Sequence, residues 1–439
     1  MNNARRFYQL SARERLDILL SEGVVSSAEY DQLVKANEEG ILDKDVAAHL
    51  IENQISQYAL PFSVARELKV NGHTYNVPMV VEEASVVAAA SHGATMVARC
   101  GGVQAWSQDH RVIGEIVFPA SEVSEESVKE LIVSRGTELF DIARNALPSM
   151  HKRGGGLMDI SVDTTAQGNF VRVLLTINPC DAMGANAVNT IAEALKTQLS
   201  EWLGSAALVA ILSNSADYSL TQASVELTPE SVAIRGIEPA RLVHRIALLS
   251  DLAQEDYARA VTHNKGIMNG ISAAVLASGN DTRAVEASAH AYAAHSGRYM
   301  PLSQWWINDA GNLCGRIELP LQVGIVGGAA SSLPLAKIAR TMGGYQSVTE
   351  FKNVLAALGL VQNLSALRAL AGPGIQEGHM SLQMNALAIA AGATGEEIDA
   401  VANALRALPA AERTAQRAQD IVQSLREAQA SDVQGESHE

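Results

Sequence analysis

The chain has 439 residues, 47% apolar and 18% charged, which places it among globular proteins of two or three domains and far from disordered chains. Its formal net charge of −15 argues against nucleic acid or an anionic membrane surface as the main partner. Three scattered cysteines, Cys100, Cys180 and Cys314, exclude a disulfide framework, show no metal-ligand spacing and suit a reducing, cytoplasmic compartment.

From the N-terminus, MNNARRFYQL has no apolar run and does not read as a secretory leader. No stretch of about 18 apolar residues predicts a membrane span. The first 60 residues read as helices. Ser11 with Glu14 and Ser26 with Glu29 have capping-box spacing. Runs 62–70 and 75–81, joined by Asn71-Gly72, predict a β-hairpin. A small-residue helix is expected from Ser85 to about Arg99, ended by Gly101-Gly102. Strand 111–118, helix 124–145, strands 158–164 and 170–177, helix 184–202 and strand 207–213 follow. The order βαββαβ predicts a ferredoxin-like unit, inserted at about 108–217 with its own antiparallel sheet. Beyond it come helices 239–262 and 282–295, a strand-like run 315–326, and two helices between 347 and 371. Gly-Pro-Gly at 372–374 punctuates the chain, and the helical tail contains a further capping pair, Thr394 and Glu397. The expected fold class is mixed α/β, or α+β.

Between Thr262 and Asp281 the only charged residues are Lys265 and Asp281. A lysine among Asn264, Gly266 and Asn269 can steady an oxyanion in a dry site, serve as a Schiff-base amine, or simply be a surface residue of a loop. Asp281, before a helix, is either an N-cap or a carboxylate aimed at Lys265. Glu82 and Glu83 end an apolar run. They are exposed loop acids or N-terminal helix charges, unless one is enclosed near another carboxylate, which would raise its pKa into the range of a general acid. His379 sits near the start of the tail helix, a capping residue or a general acid if the tail folds over a cleft. Asp181–Asn186, DAMGAN, lies between a strand and a helix, where backbone amides bind phosphate readily. It lacks G-x-G-x-x-G spacing and is not a Rossmann fingerprint. The 151–156 run HKRGGG is a second glycine-rich turn.

VEEAS at 81–85, DAMGAN at 181–186, THNKGIMNG at 262–270, GND at 279–281, VGIVGG at 323–328 and GH at 378–379 together resemble the 3-hydroxy-3-methylglutaryl-coenzyme A (HMG-CoA) reductase family. The likeness runs over nearly the whole chain in the family's order and favours the soluble bacterial type, class II. The resemblance implies a discontinuous HMG-CoA-binding domain over 1–107 and 218–373, a nicotinamide-cofactor domain over 108–217 and a helical flap over 374–439. It implies two hydride transfers between HMG-CoA and mevalonate plus CoA, and a homodimer or a multiple of it with active sites at the interface. It carries catalytic roles to Glu83, Lys265, Asp281 and His379, and substrate contacts to Ser85, Arg259 and Asn363. Cofactor contacts carry over to Asp181, Met183, Gly184, Asn186 and Asn214. Lys265 and Asp281 are then expected in one dry pocket, within salt-bridge or hydrogen-bond range.

NAD-preferring members of the family can carry an Asp before the GGG turn. Here that place falls near Ala146 and Leu147, while Lys152 and Arg153 stand ready for a 2′-phosphate or are only surface charges. NAD(H) is expected first from the overall likeness, with NADP(H) as the alternative. Two rival readings are another CoA-thioester oxidoreductase on the same scaffold and a catalytically silent CoA- or nucleotide-binding protein.

Overall fold

Both N-terminal capping boxes close as their spacing requires. Ser11 Oγ accepts from Glu14 N at 3.3 Å while Glu14 Oε2 accepts from Ser11 N at 2.7 Å, and Ser26 with Glu29 repeats the exchange. They open helices α1 (Ala12–Ser21) and α2 (Ser27–Glu39), followed by α3 (Lys44–Leu50). The computed structural model describes residues 6–39, 42–328, 332–372 and 384–435.

Strands β1 (Phe62–Val70) and β2 (His73–Val80) form the expected hairpin, antiparallel from Phe62↔Val80 to Val70↔His73. Its turn residues Asn71 and Gly72 have φ of 50° and 84°, as a tight primed turn demands. Helix α4 (Val86–Ala98) packs on this hairpin. After the four-residue β3 (Gln104–Ser107) come β4 (Val112–Pro119), α5 (Glu125–Ala146), the short α6 (Pro148–His151), β5 (Gly156–Thr164), β6 (Phe170–Asn178), α7 (Ala185–Leu203) and β7 (Val209–Ser213). The sheet order β5-β6-β4-β7, antiparallel throughout, is the ferredoxin-like arrangement read from the sequence. Its inward residues, among them Ile116, Phe118, Val173, Leu175, Ile191 and Leu195, form a core of their own.

The chain then returns to the larger part with β8 (Leu220–Leu227), α8 (Pro239–Glu255), α9 (Tyr257–Ala277), α10 (Thr282–Ala293), β9 (Ser303–Ile307), β10 (Leu313–Pro320), α11 (Pro334–Gly343) and α12 (Val348–Ala371). Sheet β3-β8-β10-β9 and the β1-β2 hairpin enclose α12. Two expectations are corrected here. Residues 239–262 are not one helix: the backbone at Asp256 is extended, and its carboxylate caps α9 by accepting from Ala258 N at 2.9 Å. Residues 348–371 are one helix, not two, because α12 is surrounded by core on all sides and needs no polar face. By length and composition α12 alone among the described residues passes as a candidate membrane span, but 78% of its apolar window is buried inside the protein. Helices Glu396–Ala407 and Ala415–Gly435 pack with Met384 and Ala388 around a separate small core.

Candidate active site

Lys265 falls inside α9, not in a loop, and its two predecessors explain why it faces outward. Asn264 is fully buried: Nδ2 donates to Met300 O at 2.9 Å and Oδ1 accepts from Leu302 N at 2.8 Å. His263 is buried too, with Nε2 2.6 Å from Ser303 Oγ. Trp305 Nε1, which can only donate, meets Asn363 Oδ1 at 2.7 Å, and Ser303 Oγ donates to the same oxygen at 2.9 Å. With its proton spent on Asn363, Ser303 accepts from His263, so the His263 proton sits on Nε2. Burial and the nearby Arg259 guanidinium lower the His263 pKa to about 4, and the ring is neutral near neutrality. Two consecutive buried side chains thus lock α9 against the 300–305 segment. Lys265, about 100° further round the helix, is left to point away.

Lys265 Nζ donates to Glu83 Oε2 at 2.9 Å. Glu83 lies in the turn between β2 and α4, two residues before Ser85, whose φ of 74° is left-handed. A non-glycine residue held there costs about 1–3 kcal/mol and marks a turn that the surroundings over-determine. The Lys265 and Glu83 side chains are 60% and 42% exposed, so their pairing has surface strength and leaves both groups accessible. Among the described residues, therefore, no dry pocket encloses Lys265.

The expected contact between Lys265 and Asp281 is also overturned. The Asp281 carboxylate caps α10, accepting from Arg283 N at 2.9 Å and Ala284 N at 3.3 Å, and it pairs with Arg283 Nε at 3.0 Å. The Arg283 guanidinium, helped by those two amides, holds the carboxyl below its usual pKa. No ion pair within 4.0 Å joins Lys265 to Asp281 among the described residues. Donors two and three residues away win over an ammonium that another helix must deliver. Nor, among the described residues, is a second carboxylate hydrogen-bonded to Glu83; its partner there is Lys265. Before Asp281, Asn280 makes a double bond pair with Gly324, donating to its O at 2.9 Å and accepting from its N at 2.8 Å. His379 lies outside the described residues.

The cofactor candidates gather elsewhere. Asp181 Oδ1 accepts from Val348 N, the first amide of α12, at 2.9 Å, and Asp181 O accepts from Ile325 N at 2.8 Å. A Cβ on Gly324 would strike Met183 N, so the 323–328 segment and the DAMGAN loop approach closely only because Gly324 has none. Gly184, φ 103°, turns the chain into α7 without a side-chain cap, leaving the first amides of a 19-residue helix open to an anion. Asn186 lies in that first turn. Asn189 Oδ1 accepts from Leu212 N at 2.9 Å, which brings the end of β7, and the exposed Asn214 beyond it, beside the start of α7. The 151–156 turn forms the adjoining wall: a Cβ on Gly155 would collide with Asn178 O and Cys180 Sγ at 2.6 Å. Lys152 and Arg153 on it are exposed.

Sequence reading missed His110 and Lys352. His110 donates from Nε2 to Ala182 O at 2.9 Å, and its Nδ1 is buried without a hydrogen-bond partner among the described residues. Burial and the charge of Lys352 push its pKa down to about 4. Lys352 is wholly buried, and burial lowers it to about 8. The available signal was the one lysine of α12, set among mostly apolar neighbours. No cluster of three or more His, Cys, Asp or Glu suited to a metal occurs among the described residues.

These features define an α+β protein in which a βαββαβ unit presenting an uncapped helix N-terminus is set in a larger frame that presents a Lys–Glu pair. Residues 11–384 match the family described as hydroxymethylglutaryl-coenzyme A reductase. A 3-hydroxy-3-methylglutaryl-coenzyme A reductase from Archaeoglobus fulgidus is 42% identical over 397 residues, covering 90% of this chain and 88% of its relative. A probable reductase of the same name from Borreliella burgdorferi is 35% identical over 347 residues, 78% of each chain. The reductase structure from Streptococcus pneumoniae superposes with a TM-score of 0.79 at 36% identity, over 95% of this chain and 99% of that one. A class II structure from the same organism, bound to NADPH in open conformations, gives 0.78 at 36% identity, covering 95% and 100%. The chain belongs to the HMG-CoA reductase family.

Proposed function

We propose that the protein interconverts HMG-CoA and mevalonate plus CoA by two successive reductions with a nicotinamide cofactor. The observation that carries this reading is the accessible Lys265–Glu83 pair at 2.9 Å, on the family's motif positions. We assign residues 1–107 and 218–373 to HMG-CoA binding, 108–217 to the cofactor and 374–439 to a flap. The exposure of Lys265 and Glu83 favours a second copy of the chain closing the site, as in a homodimer.

When bound, the reduced nicotinamide supplies one hydride to each of two carbonyl carbons. Lys265 binds the oxyanion left when the thioester carbonyl is reduced, where fixed positive charge acts most strongly. As the C–S bond breaks, His379 gives a proton to the departing CoA thiolate. The alkoxide formed when the aldehyde is reduced takes its proton through Glu83, which receives it from the Lys265 ammonium that donates to Glu83 Oε2 at 2.9 Å, and Lys265 is recharged from solvent. The balance is two hydrides and two protons taken up, one CoA thiol and one primary alcohol released. Asp281 acts through α10 and Arg283 in the chain as folded, and reaches the reacting groups only if that exposed ion pair opens. Asn363 spends Oδ1 on Trp305 and Ser303, so its Nδ2 is the end left for substrate. Arg259, whose charge lies close enough to His263 to lower its pKa, and Ser85 are assigned to substrate contacts.

The α7 amides, Gly184 and Asn186 would hold the cofactor's phosphates, and Asp181, Met183 and Asn214 would border it. Local chemistry does not support NAD(H) as first choice: no acid stands at Ala146 or Leu147, and the cations Lys152 and Arg153 beside the loop favour the 2′-phosphate of NADP(H). The test is absorbance of the reduced cofactor with HMG-CoA and either NADH or NADPH, and the reverse with mevalonate, CoA and the oxidised forms. Turnover in both directions is expected, faster with NADPH. No turnover with any combination rejects the function. Faster turnover with NADH rejects the role given to Lys152 and Arg153.

A further inference from the structure

The chain enters the βαββαβ unit through residues 107–111 and leaves it through 214–220, and the two links run side by side. Gln108 N donates to Leu220 O at 2.9 Å, Leu220 N donates to Gln108 Oε1 at 3.1 Å, and Ser107 Oγ lies 3.1 Å from Thr221 Oγ1. Both links are tied to α12. Ser107 Oγ donates to Asn353 Oδ1 at 2.8 Å. Lys352 Nζ donates to Ser219 Oγ at 2.8 Å, and Ser219 Oγ donates in turn to Asp109 O at 3.4 Å. The same α12 holds Asp181 through Val348 N, one turn before Lys352, and His110 on the entry link holds Ala182 O. A fully buried lysine whose one hydrogen bond among the described residues goes to a serine hydroxyl is costly. An apolar residue would fill this place in α12 at lower cost, so the tie itself needs a purpose.

We propose that Lys352 is a positioning residue: through Ser219 it staples both links to α12 and so fixes the βαββαβ unit, with its Asp181–Asn186 loop, relative to the Lys265–Glu83 site. The inference rests on the reading of that loop as the cofactor site. It places no atom of Lys352 on substrate or cofactor.

The experiment compares Lys352→Met, Ser219→Ala and Ser219→Thr in the full chain. Replacing a buried ammonium by an apolar side chain of like size is often neutral or stabilising, so Lys352→Met should melt no lower than wild type. The staple predicts that its cofactor KM nonetheless rises about tenfold, the worth of one buried hydrogen bond, while its KM for HMG-CoA stays within about twofold. Ser219→Ala should do the same, and Ser219→Thr, which keeps the hydroxyl, should restore the wild-type value. Hydrogen exchange at the Gln108 and Leu220 amides should quicken in Lys352→Met. Unchanged exchange overturns the staple, and so do unchanged cofactor KM values or two KM values rising together. Should Lys352→Met fail to fold, the contrast between Ser219→Ala and Ser219→Thr decides alone. Asn186→Ala tests the underlying reading separately: if it leaves the cofactor KM unchanged, the cofactor site is misassigned. An Asn186→Ala effect without a Lys352→Met effect sinks the staple only.

Discussion

Lys265→Met separates resting structure from chemistry. In the chain as folded, Lys265 touches Glu83 at 2.9 Å, but the two side chains are 60% and 42% exposed. An ion pair of that exposure contributes about 0–1 kcal/mol to stability. The substitution should therefore shift the melting temperature by no more than about 2–4 °C, and Met keeps the straight chain that suits a helix. The same ammonium opposite a developing oxyanion, with water excluded, is worth about 2.7–4 kcal/mol, or roughly 100- to 1,000-fold in kcat. The assay is oxidation of reduced cofactor with HMG-CoA, beside a thermal melt of the same preparation. A folded Lys265→Met protein with kcat within about tenfold of wild type would refute the role given to Lys265.

Asp281 offers a similar contrast on α10. Asp281→Asn keeps an N-cap of equal rank and should leave the urea midpoint nearly unmoved, whereas Asp281→Ala should cost about 1 kcal/mol; equal losses would show that the charge and not the cap matters. His263 has a folded pKa of about 4 against an unfolded value of about 6.5. Across that window the unfolded chain binds the extra proton, so stability is full above about 6.5 and falls as pH drops toward 4, by at most about 1.4 kcal/mol per pH unit. His263→Gln should flatten that slope in melts taken in pH steps; parallel curves would contradict the assignment. Gly324→Ala drives a Cβ into Met183 N, and backbone cannot yield as a side-chain end can. Its cofactor KM should rise roughly tenfold with little change for HMG-CoA, and a KM within about twofold would show that the loop tolerates the shift.

The parts of the fold legible in the sequence are those set by short-range rules. Two capping boxes, a hairpin turned on Asn71-Gly72 and the βαββαβ order all follow from spacing within one element and its neighbours. Helix α9 did not, because Asn264, Gly266 and Asn269 lower local helix propensity while the buried bonds of His263 and Asn264 to the 300–303 segment override it. Strands β3 and β9, four and five residues long, carry too short an alternation to read. At the site, Glu83 and Lys265 were found by motif and do meet, across 182 positions of sequence. Asp281 was found the same way, but its carboxylate is held by its own helix. Lys352 and His110 belong to no motif; only folding places the buried lysine beside the paired links.

The most direct test of two reductions at one site is a count. With limiting HMG-CoA and excess reduced cofactor, the ratio of cofactor oxidised to CoA thiol released should be two to one, with mevalonate as the only carbon product. A ratio of one to one with aldehyde accumulating, or thiol release without cofactor oxidation, would contradict the account.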